Sequence, residues 1–263
     1  MKYFWYVIVA LGAGALCLNY WEAITQCTLI AQVAACILEF CEYVFFLAAI
    51  LVVVYLVFKK IPKYIFRKLL HFVAFSSLVE MTLEAPIWYV AAITSLLFAA
   101  IVFPLLCLVE KYQWYGKLFV QKKPGEVKKS LVMLFTMYAV LISISWGVFN
   151  KPYIAMVSTL MWGVGDAAAA IFGKKFGKHH ATLPHADHKK TKEGSFAMAS
   201  FAFLAGVAGM LLMRNFAWYQ CLFYPLIAAP FSSLAELVTK NGDDTVTVPV
   251  VTATVLTIVS FLF

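Results

Sequence analysis

The chain has 263 residues, of which 63% are hydrophobic and only 13% charged, and its mean hydropathy is +0.87. That composition excludes a water-soluble globular enzyme and implies a polytopic protein whose first partner is the lipid bilayer. The net charge of +8 would suggest nucleic acid in a soluble protein, but its distribution along the chain marks membrane topology and no nucleic-acid partner.

A bilayer core takes roughly 20 apolar residues per helix. On that basis the sequence predicts an all-α transmembrane helical bundle of about nine spans, within a range of seven to nine. They cover 4–20, 43–58, 69–84, 86–109, 130–149, 152–172, 195–213, 216–238 and 246–263. The range reflects the shortness of several spans and Glu80 inside the third. Lys2 precedes the first span, which is read as a retained anchor rather than a cleaved signal. With Lys2 inside, all but two (Lys151 and Arg214) of the 21 Lys and Arg residues fall on one side. The positive-inside rule makes that side, with the N-terminus, cytoplasmic and puts the C-terminus opposite. Trp5, Trp21, Trp88, Trp114, Trp146 and Trp218 fall near span ends, where interfacial aromatics belong. Residues 1–58 are expected to be N-terminal spans peripheral to the motifs, and 59–263 one continuous membrane unit that carries them. Six cysteines form no CxxC pair and read as packing residues, with a disulfide among Cys27, Cys36 and Cys41 left open.

Along the chain, Arg67-Lys68 and His71 begin the third span, cations at the interface and an imidazole one turn deeper. Arg67 suits bidentate grip of a phosphate, with snorkelling anchorage as the alternative. Glu126, between lysine pairs, is a weaker candidate. Asp166 stands inside an apolar helix, where a charged group costs about 2.5–3.5 kcal/mol on insertion scales and must face protein, water or a metal. At helical spacing Ala169, Ala170, Gly173 and Gly177 share its face, a stripe that admits a nucleotide or a neighbouring helix.

Gly173-Lys-Lys-Phe-Gly-Lys178 is one residue short of a P-loop and lacks its Ser/Thr, so Lys174, Lys175 and Lys178 read as point charges for phosphate or anionic headgroups. Lys190-Thr191-Lys192-Glu193-Gly194-Ser195 starts the next apolar run, where free N–H groups and flanking lysines favour an anion. Glu193 is suited first to capping that helix, and otherwise to binding a metal or orienting Lys190. His179, His180, His185 and His188 lack zinc-ligand spacing. Glu236, late in the eighth span, and Asp244, before the ninth, add acidic groups to a basic surface. Mg2+ takes one or two carboxylates plus phosphate oxygens, so Asp166 and Asp244 suffice as its metal ligands.

These motifs resemble one family. Arg67-Lys68-x-x-His71, Gly165-Asp166-x-x-Ala169 with Gly173 and Gly177-Lys178, Lys190-Thr191-x-Glu193-Gly194-Ser195, and Asp244 before Thr247-Val248-Pro249 are similar to the CTP-dependent lipid-alcohol kinases. That group comprises dolichol kinase, phytol kinase and the CTP-using diacylglycerol kinase, and is related to CDP-diacylglycerol synthase. The resemblance covers roughly residues 60–263. It implies a membrane enzyme using Mg2+ and CTP on a lipid alcohol, polyprenol-like, phytol-like or diacylglycerol. Asp166, Lys190, Arg67 and either His71 or Glu193 as base would be catalytic, with Lys68, Gly173, Gly177, Lys178, Thr191 and Gly194 around the nucleotide. One departure is that Thr245 follows Asp244 where the family commonly has Asn. The competing expectations are phosphatidate cytidylyl transfer and, from another class, an ion-coupled transporter. Gly206-x-x-Gly209 is suited to packing helices within the chain or between copies in a homo-oligomer.

Overall fold

Hydrocarbon offers no hydrogen bonds, so apolar runs of this length satisfy their backbone internally as helices. The computed structural model describes residues 29–58, 63–112, 115, 125–180, 190–239 and 243–262. They form α1 (Leu29–Phe58), α2 (Lys63–Glu84), α3 (Trp88–Val109), α4 (Glu126–Ile142), α5 (Pro152–Phe176), α6 (Lys192–Leu212), α7 (Trp218–Val238) and α8 (Asp244–Leu262). A π-helical turn, Ser143–Val148, prolongs α4. The boundaries follow local chemistry. Pro86 separates α2 from α3, Gly125 precedes α4 at φ 75°, and Pro152 occupies the first turn of α5, where its missing N–H costs nothing.

The all-helical, multi-pass architecture agrees with the sequence expectation, but the span count does not. Six helices among the described residues are long and apolar enough to cross a membrane: α3, α4 with its π turn, α5, α6, α7 and α8. The expected 43–58 span falls in α1, of which Phe40–Val53 is a shorter apolar stretch among the described residues. The expected 69–84 span falls in α2, a helix interrupted by Glu80 and ending on Glu84. The 4–20 span lies outside the described residues.

Successive helices run up and down, so the ends of α3, α5 and α7 meet the starts of α4, α6 and α8 at one end of the bundle. Among the described residues that end holds eight lysines, from Lys111 to Lys192, while Lys151 and Arg214 mark the other.

The centre of the bundle is α5. Ala155, Met156, Val157, Ser158, Thr159 and Met161 are fully buried, and α5 touches α2, α4, α6, α7 and α8. Its closest neighbour is α6, through a seam of small residues that brings the backbones together. A Cβ added to Gly165 would lie 3.1 Å from Met198, and one on Gly209 3.2 Å from Val157. Gly206 sits under Pro225 and Met161, so both members of the Gly206/Gly209 pair pack within the chain.

On the flank, α1 packs on α2 and α3. Tyr43 bonds Ser77 at 2.7 Å, and Thr82 bonds Tyr138 across α2 and α4. Cys41, Cys107 and Cys221 are unpaired thiols, which removes Cys41 from the disulfide considered above; Cys27 and the Cys36 side chain lie outside the described residues.

Gly163 tests this packing. A Cβ there would stand 2.1 Å from the Phe75 ring, which is 2% exposed and held edge-on to Trp162 at 4.6 Å. Gly163→Ala is expected to cost about 1–3 kcal/mol by overpacking, read as a lower melting temperature of the detergent-solubilised protein. A variant that melts at or above the wild-type temperature contradicts the α2–α5 contact.

Candidate functional site

Four residues on one face of α5, spaced by four, set the axis of the site: Trp162, Asp166, Ala170 and Lys174. At 1.5 Å per residue this stripe runs about 18 Å, from the buried middle of the helix to its basic last turn. Beside it α6 approaches backbone to backbone. A Cβ on Gly173 would meet Thr191 Oγ1 at 3.1 Å, and one on Gly194 would meet the Ala169 carbonyl at 3.1 Å. The small-residue stripe below Asp166 is thus occupied by the start of α6.

Thr191 holds that start in place. In an extended conformation it accepts the Gly194 N–H on its side chain at 3.2 Å, an N-cap worth about 1 kcal/mol. It also pairs with His180 in an isolated bridge, and Lys192 N–H donates to the His179 carbonyl at 2.9 Å. Gly177 packs against Thr191, where a Cβ would stand 2.7 Å from the threonine methyl.

Glu193 is turned toward the connection from α5. Its carboxylate is 2.7 Å from His179 Nδ1 and accepts the His179 backbone N–H at 3.3 Å. It lines neither of the cavities described below, and Lys178 is exposed.

Lys190 lies just before the cap and reaches across to the end of α7. Its ammonium is 2.8 Å from the Glu236 carboxylate and donates to the backbone carbonyls of Glu236 and, at 3.1 Å, Thr239. A lysine suits this position because the last carbonyls of a helix lack partners and carry partial negative charge. The carboxylate of Glu236, 9% exposed, is held buried by this pairing. Ser233 Oγ also donates to the Ser195 carbonyl at 2.7 Å, joining α7 to α6.

Two cavities meet on this framework. A polar one of about 290 Å³ is lined by α5 (Asp166, Gly173, Lys174), by Lys190 and the start of α6 (Thr191, Gly194, Ser195), and by Glu236 of α7. A larger one of about 640 Å³ shares Asp166, Ala170, Lys174, Lys190 and Glu236 with it. The larger cavity adds His71 of α2, Glu126 and Ser130 of α4, and Asp244 and Thr245 of α8 around its polar end. Away from that end its wall is apolar, built by α1 to α5, and includes Leu47, Phe98, Leu134 and Trp162.

Of the residues singled out from sequence, Asp166, His71, Gly173, Lys190, Thr191, Gly194 and Asp244 therefore come together at one end of the bundle. Glu193, Gly177 and Lys178 stand outside the cavities. Arg67 and Lys68 belong to α2, but their side chains lie outside the described residues, as do His185 and His188. Glu236, Lys174, Ser195 and Thr245 also line the cavities. The sequence did carry a signal for Glu236, since a carboxylate inside an apolar segment needs a partner. The partner's identity depends on a contact 46 residues away along the chain.

Among the described residues no three or more His, Cys, Asp or Glu gather into a metal cluster. Two oxygen donors, Asp166 and Asp244, bordering one cavity with lysines suit a hard divalent ion that takes its remaining ligands from a polyphosphate and water. No protein family, curated protein or solved structure matches this chain.

The Lys190–Glu236 pairing has a measurable consequence. Lys190→Ala strands a buried carboxylate, at an expected cost of about 2–3 kcal/mol, below that of a dry interior pair because Lys190 is 21% exposed. Adding Glu236→Gln should recover part of the loss, and a thermal double-mutant cycle measures it. Strictly additive melting shifts would rule the pairing out.

Proposed function

We propose that this protein is a CTP-dependent, Mg2+-requiring kinase that phosphorylates the hydroxyl of a membrane lipid alcohol. One observation carries the reading: a polar cavity bordered by carboxylates and lysines shares its wall with a chamber whose far part is hydrocarbon-like. A triphosphate and a lipid hydroxyl both find matching surroundings there, and the shared residues stand where the two would meet. The choice of CTP comes from the motif resemblance, as does the order Asp166, Lys190-Thr191, Asp244 along the chain.

In this reading the terminal phosphoryl group passes to the lipid oxygen. The new P–O bond forms as the bond to CDP breaks, and the hydroxyl proton leaves to a base. His71 is the base favoured by position, because it borders the larger cavity whereas Glu193 is committed to His179. Lys174 and Lys190 offset negative charge on the phosphates, and the capped start of α6 adds its N–H dipoles. Mg2+ held by Asp166 and Asp244 would supply charge neutralisation on the triphosphate. Thr245, at the departure from the family pattern, borders the chamber beside Asp244 and offers a hydroxyl there.

The basic end of the bundle is proposed to face the cytoplasm, which delivers CTP to the site and directs α8 away from it toward the opposite side. The charged groups that border the two cavities lie toward that end of unbroken helices, which favours an enzyme over an ion-coupled carrier.

Incubation of purified protein with CTP labelled at the alpha or gamma phosphorus, and with polyprenols, diacylglycerol or phosphatidate, tests the proposal. Gamma label in a lipid alcohol is expected. Alpha label in phosphatidate would identify a cytidylyltransferase, and no label in any lipid would defeat both readings. Asp166→Asn should lower turnover at least ~100-fold, the scale of a lost transition-state charge partner, while eluting as a folded species. Retained turnover removes Asp166 from the chemistry.

A further inference from the structure

The larger cavity has a closed floor. From each surrounding helix the lining residue farthest from the polar end is buried: Leu47 of α1, Phe75 of α2, Phe98 of α3, Leu134 of α4 and Trp162 of α5, all between 2% and 7% exposed. On α3 the lining residues Phe98, Val102 and Leu106 form one stripe, so Phe98 lies about 12 Å deeper than Leu106.

Behind Phe98 the packing is aromatic and tight. Its ring stacks on Phe135 with centroids 4.1 Å apart and meets Tyr43 edge-on at 5.3 Å. Phe135 is 0% exposed, and Tyr43 is fastened by its 2.7 Å bond to Ser77. A floor braced on two buried rings does not yield to a chain end as a lone flexible side chain would.

We propose that Phe98 is a specificity-determining residue that sets the depth of the chamber. The acceptor's apolar chain enters toward Phe98 with its hydroxyl left at the level of Asp166 and His71, and the floor limits the length of chain that fits. The inference rests on the lipid-alcohol reading above and adds to it the feature that selects among lipid alcohols by chain length.

The test is a binding measurement and needs no turnover. Primary alcohols of graded length, brominated at the tail, quench a tryptophan near the floor. Trp162 is in that wall, and subtraction of the Trp162→Phe signal isolates it from the other tryptophans among the chain's seven. For the 263-residue chain in nanodiscs, affinity is expected to rise with length to a limit and then fall.

Phe98→Ala should move that limit to longer alcohols, with about a fourfold affinity gain for each methylene newly accommodated. Leu134→Phe should move it to shorter ones, and Phe98→Leu serves if the alanine variant fails to fold. An unchanged length profile in folded Phe98 and Leu134 variants overturns the depth role and leaves the kinase reading intact. If no alcohol quenches Trp162 in the wild-type protein, the lipid occupancy on which both depend is refuted.

Discussion

A charged side chain near the edge of a membrane bundle must be solvated by its own protein, and here that demand is met by the reach of Lys190 to the end of α7. One ammonium satisfies helix-terminal carbonyls that would otherwise face low dielectric, and it holds the Glu236 carboxylate buried. Because Thr191 follows immediately, the same contact sets where α6 begins and how its first turn meets Gly173 of α5. Three helices are thereby brought to a common level with Asp166. Without this connection the start of α6 would be positioned by the Thr191 cap, the glycine contact, the Ser233 bond and its contacts with His179 and His180.

The architecture separates two environments that the proposed chemistry needs side by side. Charges come from helix ends, at Glu126, Lys190, Glu236 and Asp244, and from the second half of α5, at Asp166 and Lys174. Apolar walls come from the middles of α1 to α5. The face of α5 that carries Trp162, Asp166 and Lys174 spans both, so one rigid helix fixes the position of the carboxylate relative to the chamber floor. Such a site is built on packed helices rather than loops, which favours precise placement of a reacting oxygen. On the opposite end Lys151 bonds Ser260 at 2.8 Å and caps α8, a structural use of the same lysine chemistry.

Legibility in the sequence followed interaction range. Helices from 88 onward were readable because a long apolar run in lipid has few alternatives to a helix. The 69–84 region was misjudged as a span because hydropathy averaging hides the effect of Glu80 and Glu84. Asp166 was readable because an isolated carboxylate in an apolar helix is costly. The roles of Glu193 and Gly177 were not: either residue fits a phosphate-binding loop by spacing. Only the path of the chain shows Glu193 directed to His179 and Gly177 pressed on Thr191. The Lys190–Glu236 contact and the Phe98 floor are invisible to local pattern because their partners are distant in sequence.

The central claim is that Asp166 and Asp244, from helices far apart in the chain, hold one divalent ion together with a nucleotide. Electron paramagnetic resonance of Mn2+, replacing Mg2+ in the presence of CTP, measures this directly on the purified protein. A protein-bound Mn2+–CTP complex is expected for the wild-type chain, with the bound signal lost in folded Asp166→Asn and in folded Asp244→Asn. Binding of equal strength in both variants would contradict the account.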